Sequence, residues 1–218
     1  MARVGIIGGG AFGTAMACVL RRRGHDIVLW AREPEVAAAI NGSGENSVFL
    51  RGVPLPEGIR ATTDVYDAAS GAAFVLLAPP AQHMRAVTAQ LLPHLAAGTP
   101  VVTCSKGLEL GRCALMSQVI GDTLPDSPVS VLAGPAFAAE ISIDQPTAVT
   151  LACADPVLGA RIEDEIGSAR FRVYLSDDVV GAQLEPFLAA RRRGLLVGAE
   201  PIRQGRRAAF RCGRAIGQ

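Results

Sequence analysis

Lysine is nearly absent from the sequence, since Lys106 is the only one among 21 Lys and Arg residues. The five cysteines are an odd number, are widely spaced and form no Cys-x-x-Cys pair, which argues against both a disulfide framework and a zinc site. The three histidines show no metal-ligand spacing. We therefore expect no metal and interpret these residues as structural.

Long apolar runs are also missing. The longest, residues 72–81, contains Pro79 and Pro80 and is far shorter than the roughly 18–20 apolar residues of a membrane helix. The N-terminus has no apolar core of secretory-signal length. We expect a cytoplasmic protein with no membrane partner.

The charge is distributed unevenly along the 218 residues, half of which are hydrophobic. Residues 1–184 carry 13 Lys and Arg against 18 Asp and Glu, whereas residues 185–218 carry eight Arg and two Glu. The second segment also has two prolines and five glycines, which interrupt any helical periodicity. We predict a folded domain over 1–184 and a disordered, Arg-rich tail over 185–218. Basic tails attract nucleic acid, but no nucleic-acid-binding fold is recognisable here and no such partner is expected.

Up to residue 184, short β-branched runs alternate with helical segments. This alternation is typical of a parallel sheet with crossover helices, and we predict an α/β fold of Rossmann type with a doubly wound, mostly parallel sheet. The predicted strands are 3–7, 27–30, 74–78, 101–104, 129–132, 148–153 and 172–175, and the predicted helices are 13–23, 34–40, 81–95, 114–120 and 156–166.

A Gly-x-Gly-x-x-Gly motif, formed by Gly8, Gly10 and Gly13, lies between the first predicted strand and the first predicted helix. Gly8 permits a tight turn, Gly10 lets the backbone approach a pyrophosphate, and Gly13 lets helix and strand pack closely. Free N–H groups and the positive helix end then face the phosphates. The motif predicts a dinucleotide site, with a purely structural glycine turn as the alternative.

Arg32 and Glu33 follow the second predicted strand, about twenty residues past the glycines, where the adenosine ribose is normally bound. An acidic side chain there hydrogen-bonds the 2′-hydroxyl of NAD, whereas an arginine accommodates the 2′-phosphate of NADP. Because Arg32 comes first, the order favours NADPH or use of both cofactors. The alternative is that Arg32 is a solvated surface charge.

Lys106 and Gly134 each follow a predicted strand, and ligands of open α/β sheets bind at those carboxyl ends. A flexible ammonium there can reach phosphate or carbonyl oxygens. Gly134 and Pro135 predict a turn, and a helix beginning near Ala136 would present N–H donors to an anion. The alternatives are that Lys106 is a single lysine left over by chance and that Gly134 and Pro135 form an ordinary turn.

Five spaced segments together resemble bacterial NAD(P)-dependent glycerol-3-phosphate dehydrogenases. They run in order from residue 3 to about 184 and are Gly8-x-Gly10-x-x-Gly13-Thr14-Ala15, residues 24–30, Cys104-Ser105-Lys106-Gly107-Leu108-Glu109, residues 134–140 and residues 171–174. The resemblance implies reduction of dihydroxyacetone phosphate to sn-glycerol 3-phosphate, a glycerophospholipid precursor, with NADPH or NADH as cofactor. The expected cofactor contacts are Gly8, Gly10, Ala11, Phe12, Gly13, Arg32, Lys106 and Ala138, and the expected substrate contacts are Lys106, Gly134 and Ala136.

The resemblance stops after Leu184. In the family, a general-acid lysine follows in a Gly-Gly-Ala-x-Lys-Asn segment, and the matching position here is Ala189. We therefore assign no catalytic residue, and we expect the family's C-terminal all-helical domain to be absent and the enzyme to be impaired. A frameshift or equivalent disruption is our interpretation, and translation of the other two reading frames tests it. Full-length relatives are commonly homodimers.

Two other functions stay open at this point. One is a non-enzymatic dinucleotide-binding or redox-sensing module whose basic tail contacts a partner, which predicts a protease-resistant tail. The other is a different Rossmann oxidoreductase, such as one acting on hydroxy acids, although residues 104–109 and 134–140 argue against it.

Overall fold

The computed structural model describes residues 1–184, so the predictions for 185–218, Ala189 included, lie outside the described residues. Strands and helices alternate along most of the described chain, as the sequence predicts, except that three strands follow one another between residues 101 and 115. The strands are β1 Arg3–Ile7, β2 Asp26–Trp30, β3 Ile59–Thr62, β4 Phe74–Leu77, β5 Val101–Thr103, β6 Leu108–Glu109, β7 Ala114–Leu115, β8 Val129–Ala133, β9 Thr147–Cys153 and β10 Phe171–Ser176.

Seven α-helices connect the strands of the described residues. The last of them has a side-chain N-cap, because the Asp155 carboxylate accepts hydrogen bonds from the backbone N–H groups of Val157 and Leu158 at 2.9 and 3.3 Å. The helices are α1 Ala11–Arg22, α2 Pro34–Ser43, α3 Val65–Ala69, α4 Met84–Leu91, α5 Met116–Thr123, α6 Ala138–Ser142 and α7 Pro156–Ile166.

Eight strands form one sheet in the order β10-β9-β8-β5-β4-β1-β2-β3, and β6 and β7 form a separate two-stranded ribbon. All neighbours in the large sheet are parallel except β8 and β9. The chain runs outward from β1 through β2 to β3, then returns to β4 on the other side of β1. The order therefore reverses between β1 and β4, and this switch point is where such sheets bind ligands.

Consecutive residues of β1 face opposite sides of the sheet, and each side is covered by helices. Ile6 belongs to a core with Met16 of α1, whereas Ile7 belongs to a second core with Met84 of α4. Because both faces are covered, the central strands are apolar on both sides rather than alternating. The doubly wound, mostly parallel sheet is confirmed.

Two predicted helices have different bounds. In the first, Ala114 and Leu115 belong to strand β7, and α5 begins only at Met116, because these two residues pair with Leu108–Glu109. In the second, the predicted helix 81–95 is divided into a 3-10 turn, α4 and a further 3-10 turn, Leu92–His94, which contains Pro93. Proline lacks the N–H that an α-helix needs, which explains why α4 ends there.

Within residues 1–184, none of the helices combines the length and the apolar character needed to cross a membrane.

Cys18, Cys104 and Cys153 are buried, and burial raises the pKa of the Cys18 thiol to about 11. His25 is also buried, and its Nε2 lies 2.8 Å from the carbonyl oxygen of Glu165. The structural interpretation of these residues agrees with their positions.

Candidate functional site

The Gly-rich loop follows β1 and lies against the ends of both neighbouring strands. Gly8 has a positive φ of 124°, and its N–H donates to the carbonyl oxygen of Trp30 at 3.0 Å. A Cβ on Gly8 would lie 2.8 Å from the carbonyl carbon of Ala78. Both the conformation and the close approach require glycine, as the tight-turn prediction states.

Gly13 is confined by the loop itself, since a Cβ there would overlap the carbonyl oxygen of Gly8. The start of α1 therefore packs closely against the residue that follows β1. Gly9, which the motif does not specify, is confined as well, because its Cβ would lie 2.6 Å from that of Ala31. The confinement of Gly9 could have been inferred from the uninterrupted run of three glycines, Gly8 to Gly10.

Gly10 differs from the other three, because a Cβ there meets no protein atom within 4 Å and its φ of −71° suits any residue. Protein packing thus gives no reason for a glycine. Gly10 is the N-cap of α1, makes no side-chain cap, and no acidic residue occupies the first turn. The first N–H groups of a helix lack intrahelical acceptors and carry its positive end. Open space beside these donors fits a dinucleotide pyrophosphate.

The next two expected cofactor residues open α1. Ala11 is its first residue, and Phe12 is half-buried against the core on that side of the sheet. Ala136 and Ala138 pack against the same core from the chain after β8. The residues expected on both sides of the switch point therefore border one continuous core.

Arg32 follows β2 at the same edge of the sheet, beyond the Gly-rich loop. Its side chain is 70% exposed, and its Nε and Nη2 donate to Oε1 of Glu33 at 3.0 and 2.8 Å. The pair leaves the guanidinium accessible to a phosphate while its charge is balanced locally.

Lys106 and Gly134, which lie 28 residues apart in sequence, meet where β5 and β8 end. The Nζ of Lys106 is 3.2 Å from the carbonyl oxygen of Gly134, and Lys106 is exposed. Gly134 has a φ of 153°, and a Cβ there would lie 3.2 Å from the Cα of Val149. The structure thus joins the two residues that the sequence assigned to one anion site.

The segment that carries Lys106 is fixed from the side of α4. Gln82 donates to the carbonyl oxygen of Leu108 at 2.8 Å. Arg85 forms a two-pronged pair with Glu109, with Nε–Oε1 and Nη2–Oε2 distances of 2.6 and 3.0 Å. The hydrogen bond from Arg85 lowers the pKa of Glu109 and keeps it ionised. The Arg85–Glu109 pair was not predicted, because its two residues lie 24 positions apart along the chain.

The helix after Gly134 begins later than predicted. Ala136 lies in a turn, where its N–H donates to the carbonyl oxygen of Gly134 at 3.0 Å, and α6 starts at Ala138. The N–H of Ala136 is therefore already used within the turn. With five residues, α6 is too short to supply a helix-end anion site of the kind expected.

Asn46 was not predicted from the sequence either, although it contacts the Gly-rich loop directly. It is fully buried, and its Nδ2 lies 2.8 Å from both the carbonyl oxygen of Gly9 and the Oγ1 of Thr14.

Within residues 1–184, no three His, Cys, Asp or Glu side chains form a group suited to a metal ion.

Fold and site together define a Rossmann-type dinucleotide-binding domain. The family model described as the N-terminus of NAD-dependent glycerol-3-phosphate dehydrogenase matches residues 3–158, and the chain belongs to this family. The resemblance found in the sequence is thereby confirmed.

Two relatives and one solved structure show how far the similarity extends. A glycerol-3-phosphate dehydrogenase [NAD(P)+] of Paramagnetospirillum magneticum is 55% identical over 84% of this chain and 66% of its own length. One from Azorhizobium caulinodans is 41% identical over 99% of this chain and 69% of its own, so that alignment continues past residue 184. The glycerol-3-phosphate dehydrogenase structure from Coxiella burnetii has a TM-score of 0.79 at 31% identity over 84% of this chain and 56% of that one.

The chain spans between about half and two thirds of the length of several relatives that it matches. The domain boundary at residue 184 stays a prediction.

Proposed function

We propose that this chain provides the dinucleotide-binding part of a cytoplasmic NAD(P)H-dependent glycerol-3-phosphate dehydrogenase. The reaction is the reduction of dihydroxyacetone phosphate to sn-glycerol 3-phosphate for glycerophospholipid synthesis. The observation that carries the proposal is the Lys106–Gly134 contact of 3.2 Å at the same sheet edge as the open N-terminus of α1. The open N-terminus of α1 suits a pyrophosphate, and the Lys106–Gly134 contact suits a small anionic substrate.

The cofactor would be held by the residues that follow β1 and β2. The N–H groups at Gly10, Ala11 and Phe12 would bind the pyrophosphate, because they lie at the uncapped helix start. Arg32 would bind the 2′-phosphate of NADPH through its exposed guanidinium. NADH would bind through the same glycines without that contact.

The bound cofactor supplies a hydride for a carbonyl carbon, and the chain's own contribution is position and charge. The ammonium of Lys106 would attract the substrate and stabilise negative charge that develops on its oxygen. The turn at Gly134 and Ala136 would form the adjoining wall, with Ala138 bordering the cofactor. These assignments rest on the positions of the side chains and on the family resemblance.

Proton delivery is the step for which this chain has no assigned residue. The resemblance places Ala189 where the family has its general-acid lysine, and a methyl group cannot donate a proton. Loss of a positioned general acid typically costs about 10²–10⁴ in rate. We therefore propose that the chain binds the cofactor but turns over slowly.

The test is a parallel assay of the chain and the full-length relative from P. magneticum. The decrease in NADPH absorbance is followed with and without dihydroxyacetone phosphate, and the product is identified chemically. We expect NADPH binding and substrate-dependent turnover at least about 100-fold below that of the relative. Equal rates would contradict the impairment, and absence of NADPH binding would contradict the proposed function.

A further inference from the structure

Asn46 links two parts of the Gly-rich loop that lie on either side of Gly10. Its Nδ2 donates to the carbonyl oxygen of Gly9 before Gly10, and to Oγ1 of Thr14 in the first turn of α1, each at 2.8 Å. Neither bond belongs to a helix or sheet ladder. The side chain therefore acts on the loop itself, from 32 and 37 residues away in sequence.

The position of Asn46 is fixed by its own segment. Its Oδ1 accepts from the N–H of Phe49 at 3.0 Å, and its carbonyl oxygen accepts from the N–H of Leu50 at 2.9 Å. The ends of this segment, residues 44–55, are joined by a hydrogen bond from the N–H of Leu55 to the carbonyl oxygen of Gly44 at 2.8 Å. Leu50 is buried and anchors the segment to the protein. Asn46 thus brings a rigid support to the loop.

The loop needs such support because three consecutive glycines lack side chains that could pack or cap. Glycine loses more conformational freedom on ordering than any other residue. The N-cap Gly10 makes no side-chain cap hydrogen bond. The amide of Asn46 is satisfied on both its donor and acceptor sides, as a buried polar group must be.

We infer that Asn46 is a positioning residue for the pyrophosphate site: it holds the N–H groups from Gly10 to Gly13 in the arrangement that receives the phosphates without touching them. The inference rests on the proposed dinucleotide binding. When a loop holds its binding geometry for only a fraction of the time, the apparent Kd rises by the inverse of that fraction. Loss of Asn46 is therefore expected to raise the Kd for the dinucleotide.

Gln183 offers a matched control. It is another buried amide, and its Oε1 accepts from the N–H of Ser117 at 2.9 Å. Its Nε2 donates to Oγ of Ser117 and to the carbonyl oxygen of Val179, at 2.9 and 2.8 Å. Gln183→Ala removes the same kind of hydrogen bonds as Asn46→Ala, but at the start of α5 and away from the glycines.

The experiment is a titration of the full chain with NADPH, followed by nucleotide fluorescence at a temperature where circular dichroism shows each variant folded. Asn46→Ala is expected to raise the Kd about tenfold, as a loop competent for about a tenth of the time requires. Gln183→Ala is expected to lower the Tm comparably while leaving the Kd within about twofold of wild type. Amide hydrogen exchange at residues 10–13 is expected to accelerate in Asn46→Ala alone.

Thr14→Val gives a second test that keeps the side-chain shape and removes only the acceptor for Asn46. We expect a smaller rise in Kd than for Asn46→Ala, without additivity in the double variant. If Asn46→Ala does not fold, an unchanged Kd in Thr14→Val overturns the inference. An unchanged Kd in folded Asn46→Ala, or an equal rise in Gln183→Ala, overturns it too and leaves the proposed function intact. Wild type that binds no NADPH overturns both.

Discussion

The Nζ of Lys106 lies 3.2 Å from the carbonyl oxygen of Gly134, so one ammonium joins the chain after β5 to the chain after β8. An ammonium has three N–H donors, and Gly134 engages one of them. The other two can be directed at an anion. The only lysine of the sequence is thus both held in place and equipped to bind a ligand.

Lys106→Met is expected to weaken binding of sn-glycerol 3-phosphate to the NADPH-saturated chain about tenfold or more, since a charge-assisted hydrogen bond contributes about 1.5–3 kcal/mol. Isothermal titration measures this affinity. Arg112→Met is the control, because it removes an exposed cation that pairs with Asp122 instead. Equal losses in the two variants would show that only the overall charge matters.

Serine at Gly10 and serine at Gly13 are expected to have different effects, the first on NADPH binding and the second on stability. In Gly10→Ser, the new Cβ clashes with no protein atom, and the hydroxyl accepts a hydrogen bond from the first N–H groups of α1, so stability is kept while the donors needed by the phosphates are occupied. NADPH binding then falls about tenfold. In Gly13→Ser, the Cβ overlaps Gly8 O and the free energy of unfolding falls by about 1–3 kcal/mol or more. Thermal denaturation and fluorescence titration separate the two effects. A Gly10→Ser variant that binds NADPH normally contradicts the assignment.

Arg32→Ala is expected to reduce affinity for NADPH by about five- to tenfold and to leave affinity for NADH nearly unchanged, because only NADPH carries the 2′-phosphate. Because Arg32 is exposed, we expect a loss of affinity at the lower end of the range for a hydrogen bond to a charged group. Titrations with both nucleotides measure the ratio. Equal weakening of the two, or none, would mean that Arg32 is a solvated surface charge.

The Arg85–Glu109 pair predicts a pH-dependent stability difference. The hydrogen bond from Arg85 lowers the pKa of Glu109 in the folded chain, so the stabilisation is present above the ordinary carboxyl pKa of about 4.3 and is lost as the pH falls through the lower folded value. Glu109→Gln should therefore have a lower Tm than wild type near neutral pH, with the gap closing below about pH 4. Glu57→Gln, at an exposed position, is the control. A gap that stays constant into acid contradicts the role of the pair.

Local patterns predicted much of this fold because the interactions that form it are local or repeat along the chain. Seven of the strands in the large sheet follow apolar runs that were recognised, and α7 has the bounds 156–166 that the sequence predicts. The strand β3 was missed because its residues alternate in burial at the sheet edge and so form no apolar run. The helix α3 was missed because five residues are too few to show a helical period. The helix α6, also of five residues, was predicted from the turn before it and begins two residues later than predicted, at Ala138.

The candidate site was predicted where its residues lie in a motif and missed where they depend on tertiary contacts. The glycines and Lys106 follow strands directly, so their position at the sheet edge could be inferred from sequence. Asn46 reaches Gly9 across 37 residues, and Arg85 reaches Glu109 across 24. No local period encodes such distances, and only the folded chain reveals these supports.

Calorimetric titration of the folded full chain with NADPH and with NADH shows whether the loop after β1 binds a nicotinamide dinucleotide. We expect saturable heat with at least one of them and a markedly weaker response in Gly10→Ser. No heat of binding with either nucleotide, from protein whose circular dichroism shows an intact α/β fold, would contradict it.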